Sequence, residues 1–196
     1  AVRKQFSDAG IKTEIVKFDG IYAFSDPELD YAFPLAKAMD AKAISCEPEV
    51  EGAKRVGAFA DKHKLMVGYH GHTHTTAAMF REAFSFAKYN GCNLDIGHYI
   101  AGNLGNPLEF IRDHHDRISH IHVKDRKAQV NGVDGENVPF GQGATPITAT
   151  LQLISRNRWP IQATIEFEYR VPEGSDRMTE MAKCLEFCKN ALLAKS

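Results

Sequence analysis

Residues Cys92–Ile96 read CNLDI, a short apolar run that brings the carboxylate of Asp95 to its end. Residues Ile118–Val123 (ISHIHV) follow the same plan and bring His122 to the end of their run. Short runs of this kind, each followed by an amphipathic segment, predict the strands of a parallel sheet. Polar side chains that collect at the carboxyl ends of several such strands are typical of β/α barrels. The pattern therefore favours a TIM-type barrel over other α/β folds.

The same strand-then-helix pattern repeats along the whole chain, which predicts an α/β protein with a parallel sheet. No GxGxxG or GxxxxGK[ST] motif opens any of the helices, which removes the commonest reasons for an open, doubly wound sheet. The predicted strands are Thr13–Asp19, Ala43–Cys46, Leu65–His70, Cys92–Ile96, Ile118–Val123 and Gln162–Phe167. The first ten residues (AVRKQFSDAG) are typical of the end of an amphipathic helix that stops at Gly10, and the further predicted helices are Glu28–Asp40, Glu51–Lys64, Thr76–Tyr89, Pro107–His114, Pro146–Arg156 and Asp176–Ala194.

Length and composition fit one globular domain over residues 1–196. With 43% hydrophobic residues, the chain can bury one substantial core. A complete eight-fold barrel usually needs about 250 residues, so we expect this chain to lack the first one or two βα units. The net charge of −1 gives no electrostatic footprint for nucleic acid or a membrane surface, and no apolar run reaches the length of a bilayer span.

Histidine and carboxylate side chains cluster at the predicted strand ends. Residues two apart in a strand point to one face, so His120 and His122 share a face, as do Glu166 and Glu168. Imidazole nitrogens and carboxylate oxygens are suitable ligands for Mn²⁺, Zn²⁺ or Co²⁺, whereas purely structural zinc prefers thiolates. We therefore predict one site for a divalent metal ion, with Mg²⁺ also open. Its predicted ligands are His70, Asp95, His122 and Glu166.

One long segment, Arg126–Gly143, separates the fifth predicted strand from the helix that follows it. It is rich in glycine, asparagine and charged residues and is too long for a bare connection. Long loops at the carboxyl end of a barrel are often functional, so we expect this segment to cover a substrate.

Five short motifs mark the strand ends and their loops: Gly68–His72 (GYHGH), Leu94–His98 (LDIGH), His120–Asp125 (HIHVKD), Phe140–Gly143 (FGQG) and Ile165–Tyr169 (IEFEY). In order and spacing they resemble the last four strands of the xylose isomerase-like TIM barrels, also described as sugar phosphate isomerases/epimerases. The resemblance runs from about Gly10 to Ala194. It implies a (β/α)8 fold, one divalent metal ion and a small carbohydrate substrate. It implies no nucleic acid or membrane partner and leaves a homo-oligomer open.

The resemblance also implies a role for each matching residue. Asp95 resembles the metal-binding aspartate of the family, and His122 resembles its metal-binding histidine, with Asp125 lining the site. His98 resembles the companion residue that contacts the substrate. Glu166 resembles the glutamate of the last strand, which binds the metal and can also exchange protons with the substrate.

His70 departs from the family pattern. Many members, including the ketose 3-epimerases, carry at this position a glutamate that is one of a pair of acid/base carboxylates. We therefore expect His70 to act as a metal ligand and as a candidate base. The full set of expected catalytic residues is Glu166, His98 and His70, and the expected substrate-binding residues are His72, His98 and Lys124.

The reaction predicted in this way is the isomerisation or epimerisation of a sugar, a sugar phosphate or a keto-sugar. A base removes the proton next to a carbonyl, and the metal stabilises the resulting enediolate. A dehydratase, a hydratase or another lyase stays open, because His70 replaces the glutamate of the family. Alternatives of other classes are a non-catalytic sugar-binding barrel and a metal-dependent hydrolase, the latter suggested by His70–His74 (HGHTH). An AP endonuclease would need more metal ligands and a basic face.

Overall fold

The structure, a computed structural model, describes residues Ala1–Ala194. Strands and helices alternate along most of these residues, which confirms the predicted pattern. The strands are β1 (Ile15–Lys17), β2 (Ala43–Cys46), β3 (Met66–His70), β4 (Asn90–Asp95), β5 (Ile118–Val123), β6 (Asp125–Arg126), β7 (Asn137–Val138) and β8 (Gln162–Ile165). The helices are α1 (Val2–Asp8), α2 (Asp26–Ala38), α3 (Val50–His63), α4 (Ala77–Phe86), α5 (Ile96–Ala101), α6 (Pro107–His114), α7 (Ile147–Asn157) and α8 (Arg177–Leu193).

A six-stranded sheet, in the order β1-β2-β3-β4-β5-β8, forms the framework of the fold. The pairs β1–β2, β2–β3, β3–β4 and β5–β8 are parallel. Because parallel strands end at the same edge of a sheet, the residues that follow them are brought to one side. Six strands are two fewer than a complete eight-stranded barrel contains, in agreement with the sequence-based expectation.

The chain divides into two compact units, of which the first comprises Ala1–His70, Thr76–Asn93 and Arg117–Ser119. Its helix α2 begins at a capping box, in which the Ser25 side chain pairs with the backbone N–H of Glu28 and the Glu28 carboxylate accepts a hydrogen bond from the backbone N–H of Ser25. The apolar faces of α2 and α3 pack towards the strands of this unit. Buried side chains of this core include Leu29, Phe33, Ile44, Val56 and Val67.

The second unit comprises Gly71–Thr75, Leu94–Asp116 and the chain from His120 onward. Helices α7 and α8 pack on each other, and the Gln152 side-chain amide of α7 donates a hydrogen bond to a backbone carbonyl of α8. The amphipathic helices of this unit turn their apolar faces inward. Its buried side chains include Ile96, Phe110, Ile111, Ile121 and Ile147.

The segment Arg126–Gly143 folds more tightly than the sequence predicts. Strands β6 and β7 pair antiparallel within it. The buried carboxylate of Asp125 accepts hydrogen bonds from the backbone N–H groups of Gly141, Gly143 and Thr145 at 2.8–3.2 Å. Two-residue strands carry no usable period-two signal, so the sequence does not reveal this hairpin. That the segment covers a substrate stays a prediction.

Among the element boundaries that differ from the sequence-based ones, two lie beside Asp95 and Glu166. Helix α5 directly follows β4, where the sequence predicts only a strand end, because Asp95 serves as its N-cap. Strand β8 ends at Ile165 rather than at Phe167, although the backbone N–H of Glu166 still donates to the carbonyl of Val123 at 3.0 Å. That residues 1–196 form a single domain stays a prediction. Within residues 1–194 no helix is both long and apolar enough to cross a lipid bilayer.

Candidate metal centre

Three of the four predicted metal ligands come together in the second unit. Asp95 is the last residue of β4, His122 lies one residue before the end of β5, and Glu166 directly follows β8. Each offers one ligand atom, and these atoms lie within 4.8 Å of one another. The three strands thus deliver two carboxylates and one imidazole to one place, as the sequence predicts.

The cap of α5 orients the Asp95 carboxylate. Its Oδ1 atom accepts a hydrogen bond from the backbone N–H of His98 at 2.7 Å, which fixes the side chain at the start of the helix. Its Oδ2 atom is buried and accepts no hydrogen bond of good geometry from the described residues. The cap therefore occupies one carboxylate oxygen and directs the other towards the remaining ligands.

The distances within the cluster show a tight arrangement that is buried on one side. His122 Nδ1 lies 3.2 Å from Glu166 Oε2 and 3.9 Å from Asp95 Oδ2. The Asp95 side chain is fully buried, whereas 25% of the Glu166 side chain is exposed. A small molecule can therefore approach the cluster from the Glu166 side, whereas Asp95 lies on the buried side of the cluster.

A lysine ammonium lies among these carboxylates. The Lys124 side chain is only 2% exposed, and its Nζ atom lies 3.0 Å from Asp95 Oδ2. It lies 2.7 Å from Glu166 Oε2 and 2.7 Å from Glu168 Oε2. The same ammonium lies 2.9 Å from His98 Nε2. The expected substrate-binding lysine is thus held mainly by the carboxylates of the cluster.

Burial and mutual contact shift the ionisation of this cluster. Burial raises the pKa of the Asp95 carboxyl to about 7; the Lys124 ammonium opposes this rise, and Glu166 adds to it. Burial also acts to raise the pKa of Glu166, but contacts with His122, Asp95 and Lys124 outweigh it and hold that pKa well below its usual range. Burial acts to lower the pKa of Lys124, but the neighbouring carboxylates outweigh this and raise it, so the lysine stays charged.

Three further histidines and one arginine extend the cluster. The rings of His72 and His98 lie 5.2 Å apart, and those of His72 and His74 stack at 5.9 Å. The Arg126 guanidinium lies 2.6 Å from His98 Nδ1 and donates to the backbone carbonyl of Gly135 at 2.8 Å. Arg126 is a residue of this cluster that the sequence-based prediction does not include. The available signal was its place two residues after Lys124, which itself lies two residues after His122.

His70, the fourth predicted ligand, is the last residue of β3 in the first unit. Its side chain is buried, and its Nδ1 atom lies 2.9 Å from the side-chain nitrogen of Asn93, its partner in the register with β4. Its roles as ligand and as base stay predictions. Asp125, which was expected to line the site, anchors the backbone of the following loop instead, through the three hydrogen bonds described above.

The residues present fit a divalent metal ion. One imidazole and two carboxylates are the donor types that Mn²⁺, Co²⁺ and Zn²⁺ accept, and the carboxylates also suit Mg²⁺. The buried Oδ2 atom of Asp95 forms no hydrogen bond within the described chain, and its cationic neighbour is the Lys124 ammonium at 3.0 Å, so a divalent ion can compete for this oxygen. The ligands that would hold the ion in this unit are Asp95, His122 and Glu166.

Solved structures with similar folds are xylose isomerase-type and epimerase barrels. A xylose isomerase domain protein from Planctomyces limnophilus matches with a TM-score of 0.76 and 19% identity, over 97% of this chain and 81% of that one. A 3-keto-D-glucoside 4-epimerase from E. coli matches with a TM-score of 0.69 and 13% identity, over 96% and 83%. A D-psicose 3-epimerase from Clostridium cellulolyticum matches with a TM-score of 0.70 and 13% identity, over 97% and 82%. At such identities the likeness establishes the barrel fold.

Sequence comparison points to the same family. A search of curated protein sequences finds no match. The family model described as "Xylose isomerase-like TIM barrel" matches residues 34–191, which is most of the chain. This range includes the three clustered ligands and Lys124, and it confirms both the predicted fold class and the predicted resemblance. The chain belongs to the xylose isomerase-like TIM barrel family.

Proposed function

We propose that this protein is a divalent-metal-dependent sugar isomerase or epimerase that moves a proton on a carbon next to a carbonyl. The observation that carries the proposal is the convergence of Asp95, His122 and Glu166 at the ends of three strands of this barrel. Two of the similar solved structures are epimerases of a keto-glucoside and of a ketose, which supports the same class of substrate.

A divalent metal ion, when bound, supplies a Lewis acid that favours negative charge on the sugar oxygens. The chain supplies the groups that hold and move protons. Glu166 is the proposed base, because it is the partly exposed carboxylate of the cluster and can reach a bound substrate. Asp95, which is fully buried, serves as a ligand only.

The remaining predicted residues complete the proposal. His98 is the second proton carrier and a substrate contact, and His72, whose ring lies 5.2 Å from that of His98, binds a sugar hydroxyl. Lys124 keeps Glu166 ionised through its 2.7 Å contact and contributes to substrate binding by way of that carboxylate. His70 is proposed as the fourth ligand or a further base, from its place at the end of a strand.

Solvent exchange tests the proposal directly. The protein, loaded with Mn²⁺, is incubated in deuterium oxide with a panel of ketoses, aldoses, keto-glycosides and their phosphates, and the sugars are analysed by NMR. We expect deuterium at the carbon next to the carbonyl of at least one sugar, and little in a Glu166→Gln variant that still binds Mn²⁺. Absence of deuterium from every sugar, with metal bound, would contradict an isomerase or epimerase and favour a sugar-binding protein.

A lyase is the second candidate, because His70 stands where many family members carry an acid/base glutamate. Elimination of water from a keto-sugar begins with the same proton removal next to the carbonyl, so Glu166 keeps its role. The same incubations distinguish the two reactions. A lyase forms an unsaturated or deoxy product that lacks one water, whereas an isomerase or epimerase leaves the mass of the unlabelled sugar unchanged.

A further inference from the structure

The ammonium group of Lys124 lies within the candidate metal centre. Its ammonium contacts three carboxylates at 2.7–3.0 Å while its side chain is only 2% exposed. A buried ammonium is stable only when it is paired with nearby anions. Two of its three carboxylate partners, Asp95 and Glu166, are proposed metal ligands, so the lysine and the metal ion depend on the same oxygens.

The fold makes space for this lysine. A Cβ atom on Gly97, in the first turn of α5, would lie 2.5 Å from Lys124 Cγ and 2.9 Å from its backbone oxygen. Only a glycine lets the lysine stem pass so close to α5. The Lys124 ammonium also donates a hydrogen bond to Glu168, a carboxylate that is not among the proposed ligands. The close approach of α5 to the stem and the contact with Glu168 together constrain the position of this lysine.

We propose that Lys124 is a positioning residue whose ammonium holds Asp95 and Glu166 together in the metal-free chain and opposes a divalent metal ion at the same carboxylates. This inference rests on the proposed metal-dependent function. Lys124 would then have two opposing effects on metal affinity. Its contacts preorganise the two carboxylates, whereas its positive charge repels the incoming ion. Lys124 thus sets how tightly the centre holds its metal.

Removal of the charge has two opposite consequences. Without the ammonium, the carboxylates of Asp95 and Glu166 repel each other in the metal-free protein, so that form becomes less stable. A divalent ion then meets two carboxylates that lack a competing cation, so its affinity increases. A residue that merely filled space, or one that helped to bind the metal, would not produce both changes.

The test compares Lys124→Met with Lys127→Met, whose lysine forms a surface pair with Glu136 at 2.9 Å. Mn²⁺ is titrated into each metal-free protein by calorimetry, and thermal unfolding is recorded without metal. We expect Lys124→Met to unfold at a lower temperature without metal yet to bind Mn²⁺ about tenfold or more tightly than wild type, as expected when a unit charge close to the ion is removed. Lys127→Met should match wild type in both. Equal or weaker Mn²⁺ binding by Lys124→Met would overturn the proposal.

Lys124→Arg keeps the charge and guards against a Lys124→Met protein that fails to fold. The arginine variant should bind Mn²⁺ no more tightly than wild type; tighter binding by this variant would overturn the proposal. The proposed function fails separately, if the metal-loaded wild type exchanges no deuterium into any sugar while the Mn²⁺ affinities follow the expected order. A wild type that binds no Mn²⁺ overturns both.

Discussion

Among the single residues of the site, Asp95 has two roles, one for each of its carboxylate oxygens. One oxygen caps α5 through the backbone N–H of His98, and the other lies buried beside the Lys124 ammonium at 3.0 Å. The cap needs only a hydrogen-bond acceptor, whereas the negative charge of the carboxylate strengthens its binding to a divalent cation. Substitutions at Asp95 can therefore separate the structural role from the binding role.

We expect Asp95→Ala and Glu166→Ala each to lose metal affinity by more than the roughly 10–100-fold typical of an outer-shell partner, because each removes a direct carboxylate ligand. Calorimetric titration with Mn²⁺, together with metal analysis of the purified protein, measures the effect. Glu136→Ala, at an exposed surface pair, is the control and should bind as wild type does. Metal retained at wild-type affinity in both ligand variants would show that the centre lies elsewhere.

We expect Gly97→Ala to destabilise the metal-free protein by about 1–3 kcal/mol, the usual cost of forcing an extra methyl group into a packed site. The new Cβ atom would lie 2.5 Å from Lys124 Cγ. Gly20→Ala, where a Cβ atom meets nothing within 4 Å, is the matched control. Urea denaturation measures both. If the two variants are equally stable, the lysine stem has more room than the structure indicates.

At the scale of elements, a single carboxylate organises the loop that follows β6. We expect Asp125→Ala to destabilise the protein by at least about 1.5 kcal/mol, because each backbone N–H loses a hydrogen bond to a charged group. The amides that it binds, those of Gly141, Gly143 and Thr145, should also lose protection in hydrogen exchange. Asp134→Ala, in the exposed part of the same segment, should change neither property. Unchanged protection at the three amides would refute the anchor.

The first turn of α8 carries a buried carboxylate, that of Glu180. Contacts with Lys183 and Ser175, together with the Tyr169 hydroxyl, outweigh its burial and lower the pKa of Glu180 to about 2. Because the pKa is lower in the folded chain than its ordinary value of 4.5, the ionised form stabilises the fold above that value. This contribution is lost as the pH falls from about 4.5 towards 2.

We therefore expect Glu180→Gln to lower the unfolding temperature at pH 7, and the difference from wild type to shrink as the pH falls below about 4.5. Thermal melts at a series of pH values between 7 and 3 measure this. Glu173→Gln, at an exposed carboxylate close by, should show no such dependence. A difference that stays constant over this range would mean that the variant acts through packing rather than charge.

At the scale of the whole molecule, metal binding should raise the stability of the fold, because the ligands come from three separate strands that must be folded to meet. A metal concentration of about 100 times the dissociation constant should add about 2.7 kcal/mol to the free energy of unfolding. Denaturation with and without Mn²⁺, followed by addition of a chelator, measures the gain and its reversal. The Asp95→Ala protein should gain nothing. A wild-type midpoint unmoved by Mn²⁺ would contradict the centre.

Much of the architecture is predictable from the chain. The predicted helix at the start of the chain, the six further predicted helices and all six predicted strands have counterparts whose bounds lie within three residues of the predicted ones; the largest difference is in Thr76–Tyr89, which ends at Phe86. What escaped prediction is short: α5, and the hairpin of β6 and β7. Elements of a few residues carry little periodic signal. They are stabilised by backbone N–H groups that donate hydrogen bonds to the carboxylates of Asp95 and Asp125.

The chemical identity of the candidate ligands and their place at the ends of strands follow from the amino-acid sequence alone. Both are local properties: ligand chemistry belongs to the residue type, and strand ends follow from the pattern of apolar residues around them. The family resemblance has the same source, because its motifs are contiguous segments such as LDIGH and HIHVKD.

The ammonium group that lies among those ligands is evident from the tertiary structure and not from the sequence. Lys124 contacts Glu166 across 42 positions and Glu168 across 44, and no local pattern encodes such a contact. Its burial and its charge depend on carboxylates that the parallel sheet brings together from distant parts of the chain. In the sequence Lys124 lies two residues after His122, and in the fold its ammonium lies within 3.0 Å of three carboxylates.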